Sequence, residues 1–293
     1  MHDILSNANK NNGLDRKRAL RDGRLYVADS AKKQQRFFND LGRLSKDFKL
    51  ILWRAWADTK ARYKRSVLGP YWLSIGTLTF VIGYSILAGL LFRRPLSEFL
   101  GYIACGVVTW QFISGSLGEG SRVFISNAHE ITSISVNLLS LPFKQILRGL
   151  IAMLHSLPIV FLVVFFTDSF TLYSLMIFPG VVILSLTMFG LITGLGTLTA
   201  RYRDLEQLTT MLVQFSFYMT PILWKVEMLG KGVGLLLVYL NPFYYLLSIL
   251  RLPLMGKPVE WQVWAGAVFL MCCSLSFGLG IYARFRQRIP FWI

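Results

Sequence analysis

The sequence is poor in the groups that carry out chemistry. Three histidines (His2, His129, His155) and three cysteines (Cys105, Cys272, Cys273) are spread over 293 residues. They lack metal-site spacing, and neither C-x-x-C nor H-E-x-x-H occurs. All three cysteines fall in apolar runs, where a thiol is a small packing group. G-x-S-x-G is absent, which removes a hydrolase elbow. G-x-x-x-x-G-K-[ST] is absent too, so any ATP is bound elsewhere. Gly230-Lys231-Gly232 lacks the strand, the spacing and the hydroxyl of a phosphate loop. Acidic residues are scarce, 15 against 31 Lys and Arg. Carboxylates are nearly missing from the apolar runs; Glu98 and Asp168 fall at run edges. A proton or sodium relay needs ionisable groups at depth, so that class is disfavoured. His155 lies mid-run with no acidic neighbour at helical spacing and is expected to be packed or hydrogen-bonded. The N-terminus has no apolar h-region, so no cleavable signal peptide is expected.

Apolar side chains are what the chain has in excess. They make up 54% of the residues, and the mean hydropathy of +0.50 is that of a membrane protein. Pro70 to Phe92 carry no charge, and 23 helical residues suffice to cross ~30 Å of hydrocarbon. Pro70 suits the start of this helix, and Tyr71 and Trp72 suit the head-group zone. Further spans are expected at about 99–118, 146–166, 174–200, 207–224 and 261–282. The run 232–250 is interrupted by Asn241-Pro242, and a break in lipid leaves backbone groups unsatisfied. Residues 226–258 therefore read as two short helices that enter and leave on one side. The fold class is an all-α integral membrane protein with six transmembrane helices and this re-entrant hairpin between spans five and six.

The charge is uneven. Residues 1–69 hold 17 Lys and Arg against 7 Asp and Glu, +10 of the overall +16. Beside a span, such a segment points to anionic lipid and topology rather than nucleic acid. Residues 1–35 read as a polar cytosolic tail. From 36 to 65, Phe37, Phe38, Leu41, Leu44, Phe48, Ile51, Leu52 and Ala55 recur at steps of three and four, predicting an amphipathic interface helix and a basic flank. Trp53 and Trp56 would dip into the membrane surface, or the helix would pack on another protein. With six spans, 25 Lys and Arg fall on one face and 6 on the other, so both termini are expected in the cytosol. A seventh span at 232–250 would barely alter that balance. Residues 119–140 are too polar for hydrocarbon and read as short cytosolic helices; Arg201–Glu206 is a tight charged turn.

Several stretches, in order over about 36–285, resemble the permease subunits of type-2 ABC exporters of bacterial polysaccharide, the O-antigen, capsule and teichoic-acid branch (Wzm-, KpsM- and TagG-like). They are Arg62-Tyr63-Lys64-Arg65-Ser66 with Leu68-Gly69-Pro70 and Trp72; Trp110-Gln111-Phe112 through Glu119-Gly120 to Phe124 and Asn127; Arg201-Tyr202-Arg203-Asp204-Leu205; Thr220-Pro221-Ile222 with Trp224; and Asn241-Pro242-Phe243-Tyr244 with Arg251 and Pro253-Leu254. The resemblance implies a transport subunit of the bacterial inner membrane, not an enzyme. It implies a homodimer with two copies of a separate P-loop ATPase that holds ATP and magnesium, and a lipid-linked glycan as cargo. Cofactors are expected on the partner, none on this chain. Coupling to the ATPase would fall to Glu119, Arg122, His129, Glu130, Arg201, Tyr202, Arg203 and Asp204. Arg62, Lys64 and Arg65 would admit lipid head groups. Trp72, Phe80, Tyr84, Phe215, Phe217, Tyr218 and Trp224 are candidates for channel aromatics, and Asn241 and Pro242 mark the re-entrant break. A drug or lipid permease of the same class shares this topology. A membrane-embedded glycan-modifying enzyme would need a polar cluster at the membrane edge, which the sequence does not offer.

Overall fold

The computed structural model describes residues 38–133, 136–166, 171–229 and 232–293, apart from the side chains of 164–166. The expected tail 1–35, Phe37, Asp168 and Gly230-Lys231 lie outside these residues. Among the described residues 84% are helical and no strand occurs. The chain divides after Asp47 into two compact units. In the first, residues 38–46 are helical.

The second unit begins with α1 (Phe48–Arg62), α2 (Tyr71–Phe92) and α3 (Leu96–Gly120). Two short helices follow, α4 (Val123–Ser126) and α5 (Ala128–Ser133), in the segment expected to be polar and helical. The remaining helices are α6 (Ser140–Phe166), α7 (Ile177–Arg201), α8 (Asp204–Met219), α9 (Val233–Leu240), α10 (Pro242–Leu254), α11 (Trp261–Phe285) and α12 (Ile289–Trp292). Single 3-10 turns at Leu172–Met176 and Val226–Leu229 lead into α7 and α9. Among the described residues, five helices are long and apolar enough to cross a membrane: α2, α3, α6, α7 with its 3-10 lead, and α11. The pair α9–α10, bent by 81° at Asn241, passes the same test together.

α3 is the mast of the unit. It packs against α2, α6, α7, α8 and α10, and Gly101 to Trp110 are buried without interruption. In its most apolar stretch 72% of residues are buried, against 22% in α2. α2 therefore turns most of its apolar surface away from its own protomer. α7 and α11 form the closest helix pair, and small residues let their backbones touch. A Cβ added to Gly278 would stand 1.9 Å from the Gly190 carbonyl oxygen, and one on Gly190 would stand 2.5 Å from the Ser274 backbone. Such close approach is how helices gain packing energy where no water drives them together. Hydroxyls inside the helices are mostly spent on their own turns: Thr109, Thr187, Thr193 and Thr197 donate to carbonyls four residues back.

Three expectations from the sequence need correction. The third span starts at Ser140 rather than 146; Lys144 lies inside the helix because carboxylates cover it, as described below. The segment expected as the fifth span, 207–224, holds α8, which ends at Met219 and is not among the five helices long and apolar enough to cross. The 16 residues of α8 rise about 24 Å. Thr220 takes an extended conformation that stops the helix before Pro221. The surface helix is split differently from its pattern. Ile51, Ala55 and Thr59 of α1 are buried and the helix packs on α6, whereas Leu52, Trp53 and Trp56 remain exposed.

Candidate functional site

Polar residues from separate helices converge at one end of the second unit. The first cluster forms around Glu119, in the last turn of α3. Arg62, closing α1, grips it with both guanidinium nitrogens, at 2.9 and 3.0 Å. From α6, Gln145 Nε2 donates to the same carboxylate at 3.0 Å and Arg148 Nη2 at 3.3 Å. Arg148 also donates to Gln145 Oε1 at 3.2 Å. A two-pronged guanidinium–carboxylate pair fixes orientation as well as distance. The Glu119 hydrogen bond and charge hold the Arg62 guanidinium above its ordinary range, against the opposing pull of burial. Arg62, Lys64 and Arg65 are the residues expected to admit lipid head groups. Arg62 is paired with Glu119, and all three residues are exposed. Arg65 has φ +73°, a left-handed turn conformation that lifts the chain between α1 and α2.

A second cluster surrounds Lys144, whose side chain is only 10% exposed. Its ammonium lies 3.3 Å from Asp58 Oδ2, 3.5 Å from Glu130 Oε2 and 3.2 Å from Asn127 Oδ1. Glu130 is held in turn by Arg54 Nη1 at 2.5 Å. A buried lysine stripped of its carboxylates would cost about 3–5 kcal/mol, so α1, α5 and α6 are tied here. The third link is Arg122 Nη1 to Glu206 Oε1 at 3.2 Å. It joins the loop after α3 to the first turn of α8, where Asp204 and Glu206 also suit the helix N-terminus.

The other expected coupling residues sit around these links. Arg203 and Asp204 are exposed. His129 is exposed and lies 3.3 Å from the Ser133 hydroxyl. The Arg201 guanidinium lies over the Tyr202 ring at 5.2 Å and over Trp292 at 5.5 Å. α12 thus returns the C-terminal turn to α7, and Ile289 is fully buried beneath it. Glu119 and Glu130 are taken up in pairs within the chain rather than presented outward.

A cavity of about 310 Å³ opens above the first cluster between α1, α2, α3 and α6. Arg62, Glu119 and Arg148 border one part and Gln111, His155 and Ser156 another. His155 lies 2.7 Å through Nδ1 from the Ile151 carbonyl, so that nitrogen carries its proton. Its ring stands edge-on to Tyr71 at 6.4 Å, consistent with the expected hydrogen-bonded histidine. Gln111 exchanges its amide with the Thr77 hydroxyl, at 2.9 Å for the Nε2 donor.

The candidate aromatics divide. Phe80 stacks on Tyr84 at 4.2 Å and meets Phe217 at 6.4 Å. Phe217 continues to Trp110 at 5.8 Å, and Trp110 to Phe243 at 5.4 Å. Trp72, Phe215 and Tyr218 are exposed instead. Trp224 is half-buried and its Nε1 reaches back to the Tyr218 carbonyl at 3.5 Å. At the break, Asn241 Oδ1 accepts from Phe243 N–H at 2.9 Å and caps α10, with Pro242 in the first helical position.

No protein-family model matches the chain. It is 26% identical over 235 residues to the O-antigen export system permease protein RfbA of Klebsiella pneumoniae, covering 79% of this chain and 90% of that protein. A second Klebsiella pneumoniae protein of the same name is 24% identical over 236 residues, again 79% and 90%. The Myxococcus xanthus protein of that name is 24% identical over 193 residues, 65% of this chain and 74% of its own. The chain resembles O-antigen export permeases.

Sequence reasoning missed Arg54, Asp58, Lys144, Gln145 and Arg148 as site residues. The spacing of four between Lys144 and Arg148 places both cations on one face of α6, a signal that could have paired them with Glu119 and Glu130. Trp292 offered no such signal.

Proposed function

We propose that the chain is the transmembrane permease subunit of an ATP-driven exporter that moves a lipid-linked polysaccharide across the bacterial inner membrane. The observation that carries this reading is the likeness to O-antigen export permeases along 235 residues. The clusters described above support it. A transport subunit needs its membrane helices tied to the elements that a partner pushes, and Arg122–Glu206 and the Glu119 and Lys144 clusters tie α1, α3, α5, α6 and α8 together. In this reading two chains pair, and two copies of a P-loop ATPase bind ATP and magnesium beneath them. The ATPase bears on the exposed Arg203, Asp204 and His129. Arg201, Tyr202, Arg122, Glu119 and Glu130 pass that motion inward through their contacts. Any such coupling must be a difference in stability between two arrangements, not contact alone.

Both termini lie in the cytosol, and the α9–α10 pair is a re-entrant element at the outer side. Lys64 and Arg65 draw the lipid head group towards the gap between α1 and α2. The mostly unburied faces of α2 and α8 meet the partner copy, and the rings of Phe80, Tyr84, Phe215, Phe217 and Tyr218 lie along the glycan path. Sugar faces slide on rings without strong polar traps.

The test is to tag the chain, solubilise its native membrane mildly and determine what co-purifies. A P-loop ATPase at one copy per copy of this chain, its hydrolysis stimulated by the lipid-linked glycan, is the expected result. No ATPase under conditions that keep known complexes intact would overturn the reading.

A further inference from the structure

One cation inside the bundle has no carboxylate. Arg251, in the last turn of α10, is 3% exposed and makes no salt bridge among the described residues. Its Nη1 donates to the Pro221 carbonyl at 2.6 Å. Its guanidinium carbon lies 4.1 Å from the centre of the Tyr102 ring. The Tyr102 hydroxyl, on α3, lies 3.0 Å from the same Pro221 carbonyl and 3.0 Å from that of Trp224. Two helices therefore hold one piece of backbone, the irregular stretch 220–224 that leaves α8. Asn241 adds a third hold, its Nδ2 donating to Thr220 Oγ1 at 2.9 Å. Beneath this stretch Ile222 is fully buried and seated on Gly106, where an added Cβ would already touch it at 3.4 Å.

Irregular backbone within a membrane protein must find its hydrogen bonds in protein. A neutral donor would serve Pro221 as well, and burying a guanidinium is far costlier than burying an amide or hydroxyl. The Arg251 Nε is itself buried without a partner. A charge spent in this way marks a segment whose position matters to function. The planar fork also sets direction, which a neutral hydroxyl would not.

We propose that Arg251 is a positioning residue for export. Together with Tyr102 it holds 220–224 on α3 and so fixes the end of α8 to the bent pair α9–α10. The word export rests on the function proposed above; the hold on 220–224 does not. Without the hold Ile222 leaves Gly106, and the neighbouring Cys105, now 0% exposed, becomes reachable.

The full chain in its native membrane provides the test. Cys272→Ser and Cys273→Ser leave Cys105 as the sole thiol, a reporter for N-ethylmaleimide. Arg251→Met keeps the bulk, Arg251→Lys keeps the charge, and Tyr102→Phe keeps the ring. Labelling of Cys105 should be about tenfold faster in Arg251→Met, a few-fold faster in Tyr102→Phe, and intermediate in Arg251→Lys. Export should fall at least tenfold in Arg251→Met, with chain level unchanged. Native labelling in both Arg251→Met and Tyr102→Phe would overturn the hold. Fast labelling with native export would overturn the positioning role. If Arg251→Met does not accumulate, Tyr102→Phe decides by the same two readings. Failure of the exporter reading shows separately, as the absence of an ATPase partner, and leaves the labelling result intact.

Discussion

In the proposed exporter Arg62 can serve as a strut or as a free cation, and Glu119 separates the two. The pair is two-pronged, at 2.9 and 3.0 Å. Opposite unit charges 4 Å apart attract by about 4 kcal/mol at an effective dielectric of 20. The side chains are 49% and 36% exposed, so water screens most of this and about 1 kcal/mol remains. That is roughly fivefold in an equilibrium or a rate. Arg148, 21% exposed and 3.3 Å away, contributes a second, similar share to Glu119. Glu119→Ala should therefore cost more than Arg62→Ala. The assay is glycan export by Arg62→Ala, Glu119→Ala and the double variant, at matched chain levels. For a strut, Arg62→Ala slows export about fivefold alone and has almost no effect once Glu119 is gone. If the two losses multiply, the contact is idle, and Arg62 acts through something other than Glu119. A reversed pair, Arg62→Glu with Glu119→Arg, should not recover activity, because the new arginine would face Arg148.

The α7–α11 contact gives a stability prediction. Gly278→Ala places a methyl 1.9 Å from the Gly190 carbonyl oxygen, an overpacking cost of about 3 kcal/mol. It should lower the thermal midpoint in detergent, whereas Gly280→Ala, which faces open space, should not. Asn241→Ala removes the cap on α10 and the bond to Thr220, a loss of about 1 kcal/mol. Hydrogen exchange at Phe243 and Tyr244 should accelerate roughly fivefold, leaving α7 and α11 unchanged.

How much of this was legible depended on how local the physics was. Hydrocarbon leaves a chain only one regular choice, so Pro70 to Phe92 read as a helix from the absence of charge alone. Asn241-Pro242 was equally local, since a proline cannot donate and the asparagine before it caps the next helix. The start of α6 was misread for the opposite reason. Lys144 looks like a boundary by itself, and only Asp58, far along the chain, and Glu130, 14 residues before it, make it tolerable inside a helix. Arg54 and Glu130 stand 76 residues apart, and no spacing rule joins them. Of the aromatic candidates, Phe80 is in ring contact with Tyr84 and Phe217, and Trp110 and Phe243 join them only in space. Arg62 is the sharpest case, because nothing in a basic flank points to a carboxylate 57 residues along the chain.

The 16 residues of α8 have a consequence for the lipid around them. A helix rising about 24 Å falls ~6 Å short of a 30 Å hydrocarbon layer. In the proposed exporter the remainder of that crossing is the folded stretch 220–224, in which Pro221 and Ile222 are buried. In that exporter, where α8 is a crossing helix, lipid beside it compresses to match it, at a fraction of a kcal/mol per ångström. The bilayer is then thinnest along the helix whose apolar face is least covered by its own chain. A polar group crossing there has less oil to traverse before any channel has opened.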